Sequence, residues 1–175
     1  MKNHKKIILL SLLIFLFFVY ANVDLSFSFM GSALVGLLFI FLVFVALVFL
    51  VIFFIQKKKQ NLIIFGALFA SLFFSVVAWN LIGELELKKS QETGETIIEA
   101  IEEYKKQEGT YPNSLTELVP QYLKYIPQPT VGLINKQKFF YGKSENDEYF
   151  WLGFPYAAWT LCQYSSDSKE WIVDD

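Results

Sequence analysis

The stretch Asn61–Gly109, NLIIFGALFASLFFSVVAWNLIGELELKKSQETGETIIEAIEEYKKQEG, decides how this chain is organised. Its first half, Asn61–Gly83, is long and apolar enough to span a bilayer. Its second half, Glu84–Glu108, is charged. There Ile97, Ile98, Ile101 and Tyr104 fall at the i, i+1, i+4, i+7 spacing that gathers apolar side chains on one helix face. The pattern predicts one long helix, or two joined near Gly83 or Gly94, leaving a membrane and entering a small water-soluble domain. Gly inside a helix costs about 1 kcal/mol relative to Ala, so those two positions are the places for a bend.

Two more apolar runs lie upstream. Ile7–Ala21 follows Lys2, Lys5 and Lys6. It has the length of a short span or of a signal-peptide core, and Val19 with Ala21 offers a small-residue cleavage pattern before Asn22. A retained span is the preferred reading, and both readings put the start in the cytoplasm and Asn22 outside. Met30–Ile55 is long enough to cross with tilt. Lys57, Lys58 and Lys59 then make a tight basic loop that belongs on the cytoplasmic side. Leu62–Ile82 is the third run, with Trp79 near its outer end, where amphipathic rings favour the interface. Ser71, Ser75 and Asn80 are its polar groups and are candidates for hydrogen bonds between helices. No ionisable residue lies deep in any run, which removes the usual signature of an ion path or intramembrane catalytic site.

The expected architecture is therefore a three-span α-helical membrane region over residues 1–83, with spans near 7–21, 30–55 and 61–83. A polar stalk follows at 84–95, then an extracytoplasmic α+β domain at 96–175. The positive-inside bias puts the N-terminus on the cytoplasmic side.

Composition narrows the chemistry. Every basic residue besides His4 is Lys, so no guanidinium is present for bidentate phosphate or carboxylate recognition. From Lys88 onward 9 Lys stand against 14 Asp plus Glu, a net charge of −5. A mildly acidic domain lacks the basic face that nucleic acid needs. Cys162 is the only cysteine, so no intrachain disulfide forms, and a small buried strand residue is the expected role. The only histidine, His4, lies beyond the first apolar run, which argues against a Cys–His or Ser–His site. Glu99 with Glu102 or Glu103 pairs carboxylates, but on the solvent side of an amphipathic helix. No phosphate loop, metal-ligand cluster or nucleophile–base pair is present, and neither an enzyme nor a cofactor is expected.

Past the helix, Gly109 suits the C′ position, and Thr110-Tyr111-Pro112 is extended because the residue before proline avoids the helical region. Ser114-x-x-Glu117 has a capping-box pattern and predicts a short helix from Leu115 to near Pro120. Tyr122, Leu123 and Ile126 are expected against the long helix, and Pro127 and Pro129 force an extended crossing. Strands are predicted at 138–141, 148–154, 158–164 and 170–173, with a polar turn at 142–147. The fold is one helix packed on a small antiparallel sheet.

The run Ile101-Glu102-Glu103-Tyr104-Lys105-Lys106-Gln107-Glu108-Gly109-Thr110-Tyr111-Pro112 and its continuation Ser114-Leu115-Thr116-Glu117-Leu118-Val119-Pro120-Gln121-Tyr122-Leu123, ending at Ile126-Pro127, resembles the type II secretion major pseudopilins and related type IV pilin-like domains. The likeness covers roughly Glu99–Tyr141 and is architectural elsewhere. It implies a pilin-like domain on a helix that is half membrane and half globular, acting by protein–protein contact in secretion or pilus-type assembly. The prepilin junction is not matched: Gln60-Asn61-Leu62-Ile63-Ile64 follows the lysines with no Gly–Phe step and no Glu.

The resemblance also raises a calcium loop, for which Glu145, Asp147 and Glu148 could supply oxygens; a solvated hairpin turn is the preferred reading. Asp167 with Asp174 and Asp175 is a weaker set. Partner contact falls to the aromatics Tyr149, Trp151, Phe154, Tyr156 and Trp159. Most belong to a strand's buried face, which leaves Tyr156 and Trp159, around Pro155, as the partner-binding candidates. The expected partners are the lipid bilayer and an envelope protein, with self-association left open. The alternative is an immunity protein that intercepts an envelope-acting toxin, for which an acidic outer domain would suit a basic partner.

Overall fold

The structure, a computed structural model of the 175-residue chain, describes residues 2–24, 29–57, 59–132, 137–156 and 160–174, the side chains of 2–8, 22–24 and 29–34 excepted. The chain divides into two compact units, Met1–Ile82 and Gly83–Asp175.

The first unit holds α1 (Lys2–Asp24), α2 (Phe29–Gln56) and the beginning of α3 (Lys59–Glu108). Among the described residues two helices are long and apolar enough to cross a membrane: α2, through Val35–Gln56, and α3, through its apolar part. Within the described side chains α1 contributes a shorter apolar stretch, Leu9–Ala21, so the structure supports two membrane-length helices where the sequence led us to expect three spans. Their apolar side chains point outward: Ile40, Phe41 and Phe44 on α2 and Phe69, Phe73 and Phe74 on α3 are all exposed. Phe18, Ala21, Val35 and Leu72 form a small buried cluster, with the Phe18 ring edge-on to Phe39. Among the described residues the polar groups of the third run bond within their own helix rather than between helices. Ser71 donates to the carbonyls of Ala67 and Leu68, Ser75 to that of Leu72, and the Asn80 amide to that of Val76. The carbonyl one turn back is the acceptor nearest to a short helical side chain, so local bonding wins.

α3 is one helix of 50 residues, unbroken at Gly83 and Gly94. Both glycines serve packing. A Cβ at Gly94 would stand 2.7 Å from the Trp171 indole, and one at Gly83 would stand 3.0 Å from the Tyr156 hydroxyl. Residues of the expected stalk, 84–95, likewise make contacts within the second unit. Ser90 is fully buried and its hydroxyl accepts the Thr130 N–H, while the Gln91 amide donates to Cys162 Sγ. Small residues on that face let the sheet and the 123–130 segment approach the helix directly.

The rest of the second unit is a four-stranded antiparallel sheet in the order β1 (Phe140–Lys143), β2 (Phe150–Pro155), β3 (Leu161–Ser165), β4 (Glu170–Asp174). Its core joins Ile97, Ile98 and Ile101 of the helix to Leu115, Leu118, Phe150, Leu152 and Tyr164. The apolar helix face is the one its spacing predicts. Gly109, at φ +80°, closes the helix with its N–H on the Lys105 carbonyl.

Two local expectations shift. Leu115–Leu118 is a single 3₁₀ turn rather than an α-helix, because Val119, ahead of Pro120, is extended. The expected capping box gives way to a related pair of bonds one residue out of place. The Glu117 carboxylate accepts the Asn113 N–H, and the Ser114 hydroxyl pairs with that of Thr116. The first hairpin also moves along the chain by two residues. Ser144 organises its turn, its hydroxyl accepting the N–H groups of Glu148 and Tyr149, so Gly142 becomes part of β1.

Candidate functional site

The register divides the sheet into two faces. Phe150, Leu152, Phe154, Cys162 and Tyr164 point toward α3 and are buried. Phe140, Trp151, Leu161 and Ile172 point away from it, with glycines among them. Phe140 is paired with Gly153, and its ring fills the place a Cβ would take there. Trp151 is paired with Gly142 and lies across it in the same way. Large aromatics laid over cross-strand glycines shield a backbone that no side chain covers, and this gives both rings a structural role. It also holds them flat and rigid on the outer surface. Tyr149 stands beside Trp151, ring centroids 6.1 Å apart. Leu161 and Ile172, on the same face of β3 and β4, are 44% and 48% exposed. Rigid aromatic area of this kind is ordered before any partner arrives, so its use in a contact costs little conformational entropy.

Of the partner-binding residues expected from the sequence, Tyr156 falls elsewhere. Tyr156 follows β2, is half-buried, and has its hydroxyl against Gly83. Its N–H donates to the Thr160 carbonyl. Burial pushes its phenol upward, and the carboxylates of Glu84 and Glu86 add to that. Trp159 lies outside the described residues. The outer-face pair Phe140 and Trp151 was hidden in the sequence because only the register tells which aromatics of an aromatic-rich strand point outward. The cross-strand glycines Gly142 and Gly153 are the signal that marks them. Tyr125, 68% exposed, lines a groove with Lys89 and Thr93 that no sequence motif marks.

The loop raised for calcium is filled by this chain's own cations. Lys143 Nζ is 2.8 Å from Asp147 Oδ1 and donates to the Tyr111 carbonyl at 2.8 Å. Lys105 Nζ donates to the Asp147 carbonyl and sits 3.6 Å from the centre of the Tyr111 ring. Two ammonium groups on one carboxylate and its carbonyl do not make a donor set for a divalent cation. Among the described residues no group of three His, Cys, Asp or Glu is placed to hold a metal. Asp175, of the weaker set, lies outside them.

The paired carboxylates remain a solvated face. Glu103 accepts from the Gln107 amide and pairs with Lys106 at 3.7 Å; the hydrogen bond first and the ammonium second lower its carboxyl. Cys162 is buried, as expected, and burial pushes its thiol up.

No protein-family model, no curated protein and no solved structure matches this chain.

Proposed function

We propose that this is a non-enzymatic integral membrane protein that presents a pseudopilin-like α+β domain for protein–protein contact in the bacterial envelope. In this reading the N-terminus is cytoplasmic, α1 serves as a short third span, and the unit from Gly83 onward lies outside the cytoplasmic membrane. Two membrane-length apolar helices support the anchoring, and the lysines at 57–59 support the orientation. The observation that carries the contact role is the outer sheet face, where Phe140 and Trp151 lie over glycines and Leu161 and Ile172, further across the same face, are exposed. Exposed apolar side chains gathered on one sheet face suit a contact role. The likeness of Glu99–Tyr141 to pseudopilins favours a partner in secretion or pilus-type assembly.

The acidic balance of the outer unit, −5 from Lys88 onward, favours a second reading: an immunity protein that binds a basic, envelope-acting toxin. One experiment separates the two. A photoreactive residue at Trp151, crosslinked in native cells, gives adducts with secretion or pilus components on the first reading. It gives adducts with a delivered toxin on the second. An absence of protein adducts at Trp151, with efficient crosslinking at a core control such as Leu152, would overturn the contact role of this face.

A further inference from the structure

Strand β4 ends the sheet. β3 pairs with it along one edge over Glu170–Asp174, and among the described residues no strand pairs with the other. An open edge offers a row of backbone donors and acceptors to any extended segment, and proteins usually blunt it with Lys, Pro or a bulge. Here the edge reads Glu170-Trp171-Ile172-Val173-Asp174, with none of these inside it. Trp171 is tied inward, its indole N–H donating to Glu95 at 2.7 Å and its ring packed on Gly94. Ile172 and Val173 are both exposed. The strand is thus fixed to the helix by one residue and open along its rim.

The charges select what the rim can accept. Glu170, Ile172 and Asp174 alternate with Trp171 and Val173, so the two carboxylates flank Ile172 on the outer face. A second copy of β4 would oppose itself badly. Antiparallel pairing centred on Ile172 sets Glu170 against Asp174, and parallel pairing in register sets each carboxylate against its own copy. Like charges directly opposite destabilise a strand pair. The segment Ser166–Asp175 as a whole carries four acidic residues and one Lys.

We infer that β4 is a docking edge for an extended segment of a partner protein with the pattern basic–x–apolar–x–basic, added as a fifth strand. Lys or Arg on that segment faces Glu170 and Asp174, and its central apolar residue packs beside Ile172. Main-chain hydrogen bonds supply the attachment and the alternate side chains supply the choice of partner, as in other strand-addition complexes. This inference rests on the contact role proposed above and gives that role a partner chemistry.

The test uses the full chain in nanodiscs and two blocked synthetic peptides, Ser-Lys-Thr-Ile-Thr-Lys-Ser and its counterpart with Glu for both Lys. Hydrogen exchange of the amides in 170–174 is followed as each peptide is added. The lysine peptide should slow exchange there at a concentration about tenfold lower than the glutamate peptide, since two cross-strand charge pairs change sign between them. In the double variant Glu170→Lys, Asp174→Lys the preference should reverse. Unchanged exchange in Phe150–Pro155 shows that the variant is folded. Equal slowing by both peptides, or slowing by neither, overturns the inference. Either result leaves the crosslinking outcome at Trp151 to stand or fall separately, because Trp151 is on β2 and not at this edge.

Discussion

Lys143 and Asp147 clasp the β1–β2 turn: Nζ lies 2.8 Å from Oδ1, and both side chains keep less than a third of their surface exposed. The same ammonium holds the Tyr111 carbonyl, and Lys105 holds the Asp147 carbonyl from the helix. Asp147 itself sits at φ +54°, a left-handed conformation that Asp tolerates better than most residues. The turn is therefore tied to the end of α3 by cations covalently part of the chain.

Lys143→Met should lower the stability of the second unit by about 2 kcal/mol, because it leaves a half-buried carboxylate and a carbonyl without their donor. Calcium should neither stabilise the wild-type protein nor rescue the variant. Thermal unfolding followed by near-ultraviolet circular dichroism, with calcium and with a chelator, reads both effects. A rise of the wild-type Tm on adding millimolar calcium would mean that the lysines do not own this loop.

Gly94 and Trp171 make the second prediction. Ala is the better helix former by about 1 kcal/mol, so Gly94→Ala would stabilise a free helix. Here the new methyl would meet the indole at 2.7 Å and push it off the helix, which breaks its bond to Glu95 as well. Overpacking of this kind costs about 1–3 kcal/mol and should win. Gly66→Ala is the matched control, since nothing lies within 4 Å of the Cβ it would add. A lower Tm and a shifted tryptophan emission are expected for Gly94→Ala alone.

Gly94 shows how far the sequence could be read. The apolar spacing of Ile97, Ile98 and Ile101, the cap at Gly109 and the count of four strands were all legible, because each depends on local chemistry and period. Gly94 reads as a hinge in one dimension and proves to be a seat for a residue 77 positions on, a distinction only long-range packing makes. The outer face was obscure for a related reason. Tyr149 through Phe154 offers aromatics on both faces, and the Ser144 turn, not composition, fixes which of them face out. Ser90 and Gln91 looked like stalk because their partners, Thr130 and Cys162, arrive from distant segments.

Cys162 should react slowly with a thiol reagent. It is fully buried, paired with Val173 across the sheet, and its thiol is pushed up by burial. At pH 8 less of it is thiolate than for a free cysteine, and the thiolate is the reactive form. Labelling of the native chain should therefore run at the rate of local opening. Gly153→Ala should accelerate it, because the added methyl would stand 2.8 Å from the Cys162 carbonyl and loosen β2 from β3. Rapid labelling of the wild type would contradict the inward placement of β3.

Tyr141 gives the pH dependence. Its hydroxyl donates to the Pro112 carbonyl at 2.8 Å, and desolvation, with Asp147 the next cause, pushes its phenol far above the usual tyrosine value of 10.0. The folded state thus favours the protonated form. A group with a raised folded-state pKa gives its full stabilisation below the unfolded-state value and loses it as pH climbs toward the folded one. Stability should be level on this account through neutral pH and fall above about pH 10. Tyr141→Phe should cost about 1 kcal/mol at pH 7, the worth of a buried hydrogen bond. The same variant should lose less stability than the wild type between pH 9 and 11. Tyr104, Tyr122 and Tyr164 are also raised, chiefly by desolvation, so an alkaline decline remains in both proteins and the difference between their slopes isolates Tyr141. Denaturant midpoints across that range make the comparison; parallel slopes would place the Tyr141 hydroxyl in water rather than on Pro112.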